Sequence, residues 1–316
     1  MQTPFLQAVL FFSCFFFVWI GSGLVVGPIS ALAKNWKLPA FTVSFFLLGL
    51  LTSLPEIVIG SVAVVEGDPA IYAGNLLGGV IVLFLLIIPL LGLVGTGVKM
   101  PRELGKARLL FTLVTVLAPA VLLSDRVLSM LEACFLIILY VALFLSFSFK
   151  ESLLEKVQEA MVRRKKKTGL IVLKVLAGVA ILVVASEQIV SSTLYFSSLL
   201  ELSPFFVSLI VVSLGTNIPE ISIVFRSILT KKQDVALADY LGSASANTLL
   251  MGVFTLVSGQ ALVVPNNVLP RFLVLLLGLA LFFVFARSRN TISRKESLVL
   301  ILLYAGFIVY ELMRAV

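Results

Sequence analysis

Glu56 and Glu220 are the residues in this sequence best placed to do chemistry. Each closes the same short phrase, Thr52-Ser53-Leu54-Pro55-Glu56-Ile57 and Thr216-Asn217-Ile218-Pro219-Glu220-Ile221, and the two stand 164 positions apart (220 − 56). Both phrases lie in the middle of long apolar runs. A carboxylate at membrane depth is costly to keep, so by default it marks function. Proline inside a helix removes a backbone hydrogen bond, whereas it is comfortable in a first turn. Pro55 and Pro219 therefore read as the starts of second half-helices, after breaks at Thr52–Leu54 and Thr216–Ile218. Such a break is tolerable in lipid only where it is buried in protein or lines a polar cavity. Freed carbonyls, hydroxyls and a glutamate at one depth make an all-oxygen site, which suits hard cations. Ca²⁺ takes six to eight oxygen ligands, more than one such centre supplies; two facing centres can. The blander reading of one copy is a kink with a paired or snorkelling acid. Two copies at a fixed offset argue against it.

The elements that position these residues are repeated with them. Shifting the chain by 164 also places Ser22 on Ser186, Leu38 on Leu202, Phe41 on Phe205, Val43 on Val207, Ser44 on Ser208, Leu77 on Leu241 and Gly78 on Gly242. A duplicated unit with a proline-broken polar centre is the sequence sign of a secondary transporter. At about 20 apolar residues per membrane-spanning helix, the runs give ten spans, at 4–32, 39–65, 70–95, 107–123, 127–148, 169–200, 203–229, 233–258, 268–286 and 296–313. Basic residues collect after the odd spans: Lys34 and Lys37; Lys99, Arg102, Lys106 and Arg108; Arg163 to Lys167; Lys231 and Lys232; Arg287, Arg289, Arg294 and Lys295. The opposite loops carry little beyond Arg126 and Arg271. The positive-inside rule makes the basic loops cytoplasmic and puts both termini outside. Five spans lie on each side of the basic loop, so the second half enters from the opposite face. The expected fold is an all-α polytopic membrane protein of ten transmembrane helices in two inverted five-helix repeats. The expected parts are 1–149, a basic cytoplasmic linker at 150–168, and 169–316. The linker reads most simply as a solvated topology determinant, and more sharply as a contact for anionic lipid.

Composition excludes several classes. Hydrophobic residues make up 60% of the 316, charged residues 13%, and the mean hydropathy is +1.15. The net charge of +8 sits in loops between apolar runs, which argues against nucleic acid. The sequence contains no histidine, so His-based zinc sites and His general bases are out. Cys14 and Cys134 lie in apolar runs without metal-ligand spacing and read as free thiols. The first run has no basic leader segment and reads as a retained helix. Compact loops, small size and the lack of an organelle signal favour a prokaryotic plasma membrane.

A second pair of stretches begins eighteen residues after each glutamate (74 − 56 and 238 − 220). Gly74-Asn75-Leu76-Leu77-Gly78-Gly79 opens span 3. Ala238-Asp239-Tyr240-Leu241-Gly242-Ser243-Ala244-Ser245-Ala246-Asn247 opens span 8. Asp239, Ser243 and Asn247 recur every four residues and share one helix face, directed at the broken helices. The corresponding face in span 3 is Asn75, Gly79 and Leu83, polar only at Asn75. A small-residue packing face is the alternative for both, with helix-start capping by Asp239 in the second.

With these residues in view, the sequence resembles the cation/Ca²⁺ exchanger superfamily, whose archetype is the sodium/calcium exchanger. That family has ten spans in two inverted halves, each with a signature like Gly-Thr-Ser-Leu-Pro-Glu and then one like Gly-Asn-x-x-Gly-Ser-x-x-x-Asn/Asp. Here the first signature has Leu51 for Gly in one half, and Asn217 for Ser in the other. The resemblance implies that Glu56 and Glu220 are the central Ca²⁺ ligands. Thr52, Ser53, Thr216 and Asn217 would add oxygens to Ca²⁺ or to flanking Na⁺ sites, and Ser243 and Asn247 match the second motif. Gly79 and Leu83 depart from it and remove two oxygen donors, which leaves the number of Na⁺ sites and the coupling ion open.

The leading expectation is an antiporter, not an enzyme, exchanging a divalent cation, Ca²⁺ first, for Na⁺ or H⁺ by alternating access. Two carboxylates close together in low dielectric hold a shared cation or a shared proton. No cofactor is expected beyond the transported ions, and the partners are inorganic cations and the lipid bilayer. A cation channel shares the oxygen-lined centre but needs a continuous pore. A membrane enzyme using the glutamates as acid and base finds no nucleophile motif or phosphate loop in support. With Gly79 and Leu83 apolar, H⁺ coupling is a refinement, with Asp239 or Glu187 as an auxiliary proton site.

Overall fold

The structure, a computed structural model, describes residues 4–33, 40–148, 168–264 and 268–315. The Lys34 and Lys37 loop, the basic linker up to Lys167 and the Pro265-Asn266-Asn267 turn lie outside them. The described residues form nine continuous helices long and apolar enough to cross a membrane, plus one bent pair that makes the tenth. In order they are span 1 Pro4–Ala33, span 2 Val43–Thr52 with Leu54–Val65 at 43°, span 3 Pro69–Val94, span 4 Lys106–Leu122, span 5 Met130–Ser148, span 6 Thr168–Leu199, span 7 Pro204–Leu229, span 8 Gln233–Val257, span 9 Leu269–Ser288 and span 10 Arg294–Ala315. The apolar runs therefore placed every span.

The helix ends are written in local chemistry, in matching places. Span 5 opens on a reciprocal cap: the Ser129 N–H donates to Glu132 Oε2 (2.8 Å) and the Glu132 N–H to Ser129 Oγ (3.3 Å). Span 10 repeats it, with Ser293 N–H to Glu296 Oε2 (2.7 Å) and Glu296 N–H to Ser293 Oγ (3.4 Å). Each cap satisfies donors that a helix start leaves orphaned.

Two features were not foreseen. Short π-helical stretches, Val43–Leu48 and Ser208–Val212, precede both breaks, and a third, Leu83–Ile87, lies in span 3. Extra-wide turns of this kind concentrate at functional sites. The second is a set of two-residue antiparallel pairs in the loops of this all-α fold, Val98–Lys99 with Thr291–Ile292 and Val127–Leu128 with Leu262–Val263. These pairs establish the inversion. The segment after span 3 pairs with the segment between spans 9 and 10, so those lie on one face. The segment between spans 4 and 5 pairs with the one after span 8, on the other face, because span 4 separates the two. The equivalent segments after spans 3 and 8 thus lie on opposite faces.

Packing puts the polar residues inside. Spans 3 and 8 are each 78% buried, against 22–39% for spans 1, 5, 6, 9 and 10. Span 8 is the least apolar of the nine continuous spans, yet it is at the centre. Lipid imposes this arrangement, because polar side chains must face protein. Span 1 packs chiefly on span 6 at the periphery. Around the centre, backbones touch. A Cβ on Gly242 would overlap the Phe45 carbonyl oxygen, and one on Gly78 would overlap that of Leu209. Glycine at these two positions lets each small-residue helix lie directly on the π-helical stretch of the other half.

Candidate functional site

The breaks form where the sequence puts them. Helix ends at Thr52, Ser53 leaves helical geometry (φ −77°, ψ 9°), and helix resumes at Leu54 with Pro55 in its first turn. In span 7 helix ends at Thr216, Asn217 takes φ −89°, ψ 11°, and helix resumes at Ile218 with Pro219 in its first turn. Pro55 has no N–H for the Leu51 carbonyl, nor has Pro219 for that of Gly215.

All ten candidate residues are buried: Glu56, Glu220, Thr52, Ser53, Thr216, Asn217, Asp239, Ser243, Asn247 and Asn75. The bonds between them run across the halves. Thr52 Oγ1 donates to Asp239 Oδ1 (3.2 Å), and Thr216 Oγ1 donates to Asn75 Oδ1 (3.3 Å). These bonds are equivalent, because Thr52 and Thr216, and Asn75 and Asp239, stand 164 apart. Ser53 Oγ lies 3.1 Å from Ser243 Oγ. Asn247 Nδ2 donates to the Leu76 carbonyl of span 3 (3.1 Å). The Tyr240 hydroxyl donates to the Glu220 carbonyl (3.0 Å) and ties span 8 to the broken span 7. The faces inferred from helix periodicity do meet the breaks.

Within this cluster the acceptors are under-used. Glu56 Oε2, both Glu220 carboxylate oxygens, Asn217 Oδ1 and Asn247 Oδ1 are buried without a hydrogen-bond partner. Buried polar atoms normally find partners, so five orphan oxygens in one cluster call for an explanation. Charge points the same way. Glu56 and Asp239 are electrostatic neighbours of Glu220. Among the described residues the only buried basic side chain is Arg271, and it pairs with Glu311 (2.6 Å) instead. Among the described residues these buried acids have no side-chain cation beside them, and buried carboxylates left so are costly unless a cation or a proton joins them.

Glu187 does not join the cluster. It is exposed on span 6, because the helix turns Ser186 and Ile189 inward instead. Residues missed in the sequence include Gly49 and Ser213, whose carbonyls anchor the breaks: Ser53 Oγ donates to Gly49 O and Asn217 Nδ2 to Ser213 O, both 2.8 Å. The 164-residue shift relates these two bonds as well and could have pointed to them.

The fold and site define a class: an integral membrane protein of inverted repeats around a buried acidic centre, built as transporters are. The family model described as "Sodium/calcium exchanger protein" matches residues 6–150 and 170–313. The chain belongs to the sodium/calcium exchanger family, a family of transporters and not of enzymes. Among curated relatives it is similar to CaxA of Alkalimonas amylolytica, provisionally described as an antiporter (23% identical, covering 92% of this chain and 93% of CaxA). It is also similar to the inner membrane protein YrbG of Escherichia coli K12 (25% identical, 76% and 75% covered). Among solved structures it resembles the sodium-calcium exchanger NCX_Mj from crystals soaked with Na⁺ and Sr²⁺ (TM-score 0.66, 21% identical, 98% of this chain and 99% of that one). That likeness concerns the fold.

Proposed function

We propose that this chain is a secondary antiporter that exchanges a divalent cation, Ca²⁺ first, against Na⁺ or H⁺ at the Glu56–Glu220 centre. The observation that carries the reading is the set of five buried acceptor oxygens without partners, drawn from both broken spans and span 8. Ca²⁺ needs six to eight oxygens, and the hydroxyls of Thr52, Thr216, Ser53 and Ser243 stand by to complete the shell. Family membership, the description of CaxA as an antiporter, and the Na⁺ and Sr²⁺ soaks of NCX_Mj support it. The glutamates hold one divalent ion or its competitors, never both loads, and that exclusion makes exchange obligatory. The halves at 1–149 and 169–316 move against one another, with 150–168 as a cytoplasmic linker. Both termini lie outside a prokaryotic plasma membrane.

A third buried acid bears on the coupling ion. Asp239 stands where its equivalent in the other half is Asn75, and it is an electrostatic neighbour of Glu220, as Glu56 is, although among the described residues the three acids do not converge as one metal-holding group. A divalent ion balances two of them, and the third takes a proton or a monovalent cation. The test is radioactive Ca²⁺ uptake into proteoliposomes under an outward Na⁺ gradient or an outward H⁺ gradient. Uptake under one gradient names the coupling ion. Uptake with neither would show a leak and a channel, and no uptake in any condition would overturn Ca²⁺ as cargo.

A further inference from the structure

Each broken span begins on a phenylalanine held by an arginine from its own half. Phe205, in the first turn of span 7, and Phe41, in the turn Ala40–Thr42 that leads into span 2, stand 164 apart and are both buried. In the second half the hold is direct. Arg271, at the start of span 9, lies 5.2 Å from the centre of the Phe205 ring and pairs with Glu311, near the end of span 10, at 2.6 Å. All three side chains are buried. In the first half the same three helix ends meet at the opposite face with different chemistry. The equivalent of Glu311 is Phe147, and the equivalent of Arg271 is Ala107, next to Arg108. Arg108 lies over the Phe147 ring at 4.8 Å. Phe147 in turn stacks on Phe41 (6.2 Å between centres, 23° between planes) and on Phe45 (5.1 Å). A ring therefore stands where the other half has a carboxylate. Arg108 is half-buried and donates to the carbonyls of Glu103 and Ser146 at 3.2 and 3.3 Å.

We infer that these are counterpart clamps of unequal stiffness, and that Arg271 and Glu311 are positioning residues for span 7. Parting a buried ion pair leaves two charges in low-dielectric surroundings, whereas stacked rings that slide lose only weak dispersion contacts. The start of span 7 is therefore bolted to spans 9 and 10, and the start of span 2 rides on an aromatic layer. The consequence rests on the exchange reading above: the half-helix leading to Glu220 stays in place, and the one leading to Glu56 adjusts as ions come and go. The yielding mouth is then at the face of the basic loops, where span 2 begins.

The test is hydrogen exchange on the full-length protein in detergent, read at 40–48 and 204–212. Each of these segments is a helical turn followed by a π-helical stretch, so they are matched. In the wild type 204–212 exchanges at least about tenfold more slowly than 40–48. The double variant Arg271→Met/Glu311→Leu removes both charges together, so neither is stranded. Its exchange rises about tenfold at 204–212 and is unchanged at 40–48. In proteoliposomes its maximal rate of Ca²⁺ uptake changes by at least about twofold, while the half-maximal Ca²⁺ concentration holds because no ligand is touched. Equal exchange at the two segments in the wild type overturns the unequal clamps. Protection lost along the whole chain in the variant would make the pair a general support of the fold and overturn its positioning role. So would an unchanged maximal rate, or a shifted half-maximal concentration. If the wild type carries no Ca²⁺, the proposed function fails while the exchange rates still decide the clamps.

Discussion

The two halves of this protein share one architecture and differ in chemistry. Shared are the broken helix, the π-helical stretch before it, the Ser–Glu cap and the glycine that admits the other half's backbone. The differences gather along one helix face. Span 8 carries Asp239, Ser243 and Asn247, whereas span 3 carries Asn75, Gly79 and Leu83. At Leu83 span 3 also enters a π-helical stretch that span 8 lacks. Ser44 donates to the Val235 carbonyl (2.7 Å), but its equivalent Ser208 has no partner. The backbone is therefore kept alike at the two breaks and at the glycine contacts, and the halves differ along the face of spans 3 and 8 that meets those breaks.

The glutamates are where symmetry should be strictest. Glu56→Gln and Glu220→Gln keep shape and remove charge, and both reduce Ca²⁺ uptake to background in proteoliposomes. The folded state without ions gains from the same change, because an uncompensated buried charge is removed. Each variant therefore elutes as a single species and melts above the wild type in ion-free buffer. Retained uptake in either one would break the equivalence of the halves.

The peripheral ends give a large, one-sided effect. In the second half Arg271 opens span 9, pairs with Glu311 at 2.6 Å and lies 5.2 Å from the centre of the Phe205 ring. In the first half Arg108, near the start of span 4, lies over Phe147 at 4.8 Å and donates to backbone carbonyls. Arg271→Met strands Glu311 and costs about 3–5 kcal/mol. Arg108→Met loses about 1 kcal/mol, the scale of a partly exposed cation–π contact. Thermal unfolding of the two variants measures the contrast, and equal losses would show that the buried pair is solvated.

The glycine contacts predict the opposite, a matched pair. Gly78→Ala and Gly242→Ala each force a methyl against a carbonyl of the other half, for a cost of about 1–3 kcal/mol by overpacking. The same unfolding assay compares them, and a loss in only one would mean that the two backbone contacts are not equivalent.

How far the site was legible follows from what each signal depends on. Spans, breaks and caps depend on composition and on residues close in sequence, so apolar runs, Pro55, Pro219 and a single shift of 164 revealed them. The buried face of Asp239, Ser243 and Asn247 followed from helix periodicity. Glu187 misled because depth in a span says nothing of which way a side chain faces, and span 6 turns it outward. Which side chains border Gly79, the amides of Asn217 and Asn247 from the opposite half, is set by packing that sequence spacing does not show. The two-residue strand pairs join segments more than 130 residues apart (262 − 128 is the shorter separation). No local pattern could announce them.

Asp239 and Asn75 give the smallest effect and the sharpest comparison. Both accept from the threonine of the opposite break, at 3.2 and 3.3 Å, so Asp239→Asn keeps size and an acceptor oxygen while removing one charge. A divalent ion bound by Glu56 and Glu220 is still neutralised, and Ca²⁺ uptake therefore persists. On the proposed function Asp239 answers to the proton or monovalent ion, so the coupling side changes instead. Half-maximal inhibition by the coupling ion shifts in Asp239→Asn by about tenfold, the low end of the scale of one hydrogen bond to a charged group. Asn75→Asp adds a fourth carboxylate at the equivalent place. It strengthens the grip on the competing ion, and Ca²⁺ uptake then needs a steeper gradient. Uptake titrated against Na⁺ and against pH in both variants reads the shifts. Shifts of the same sign would mean that position, and not charge, distinguishes the two halves.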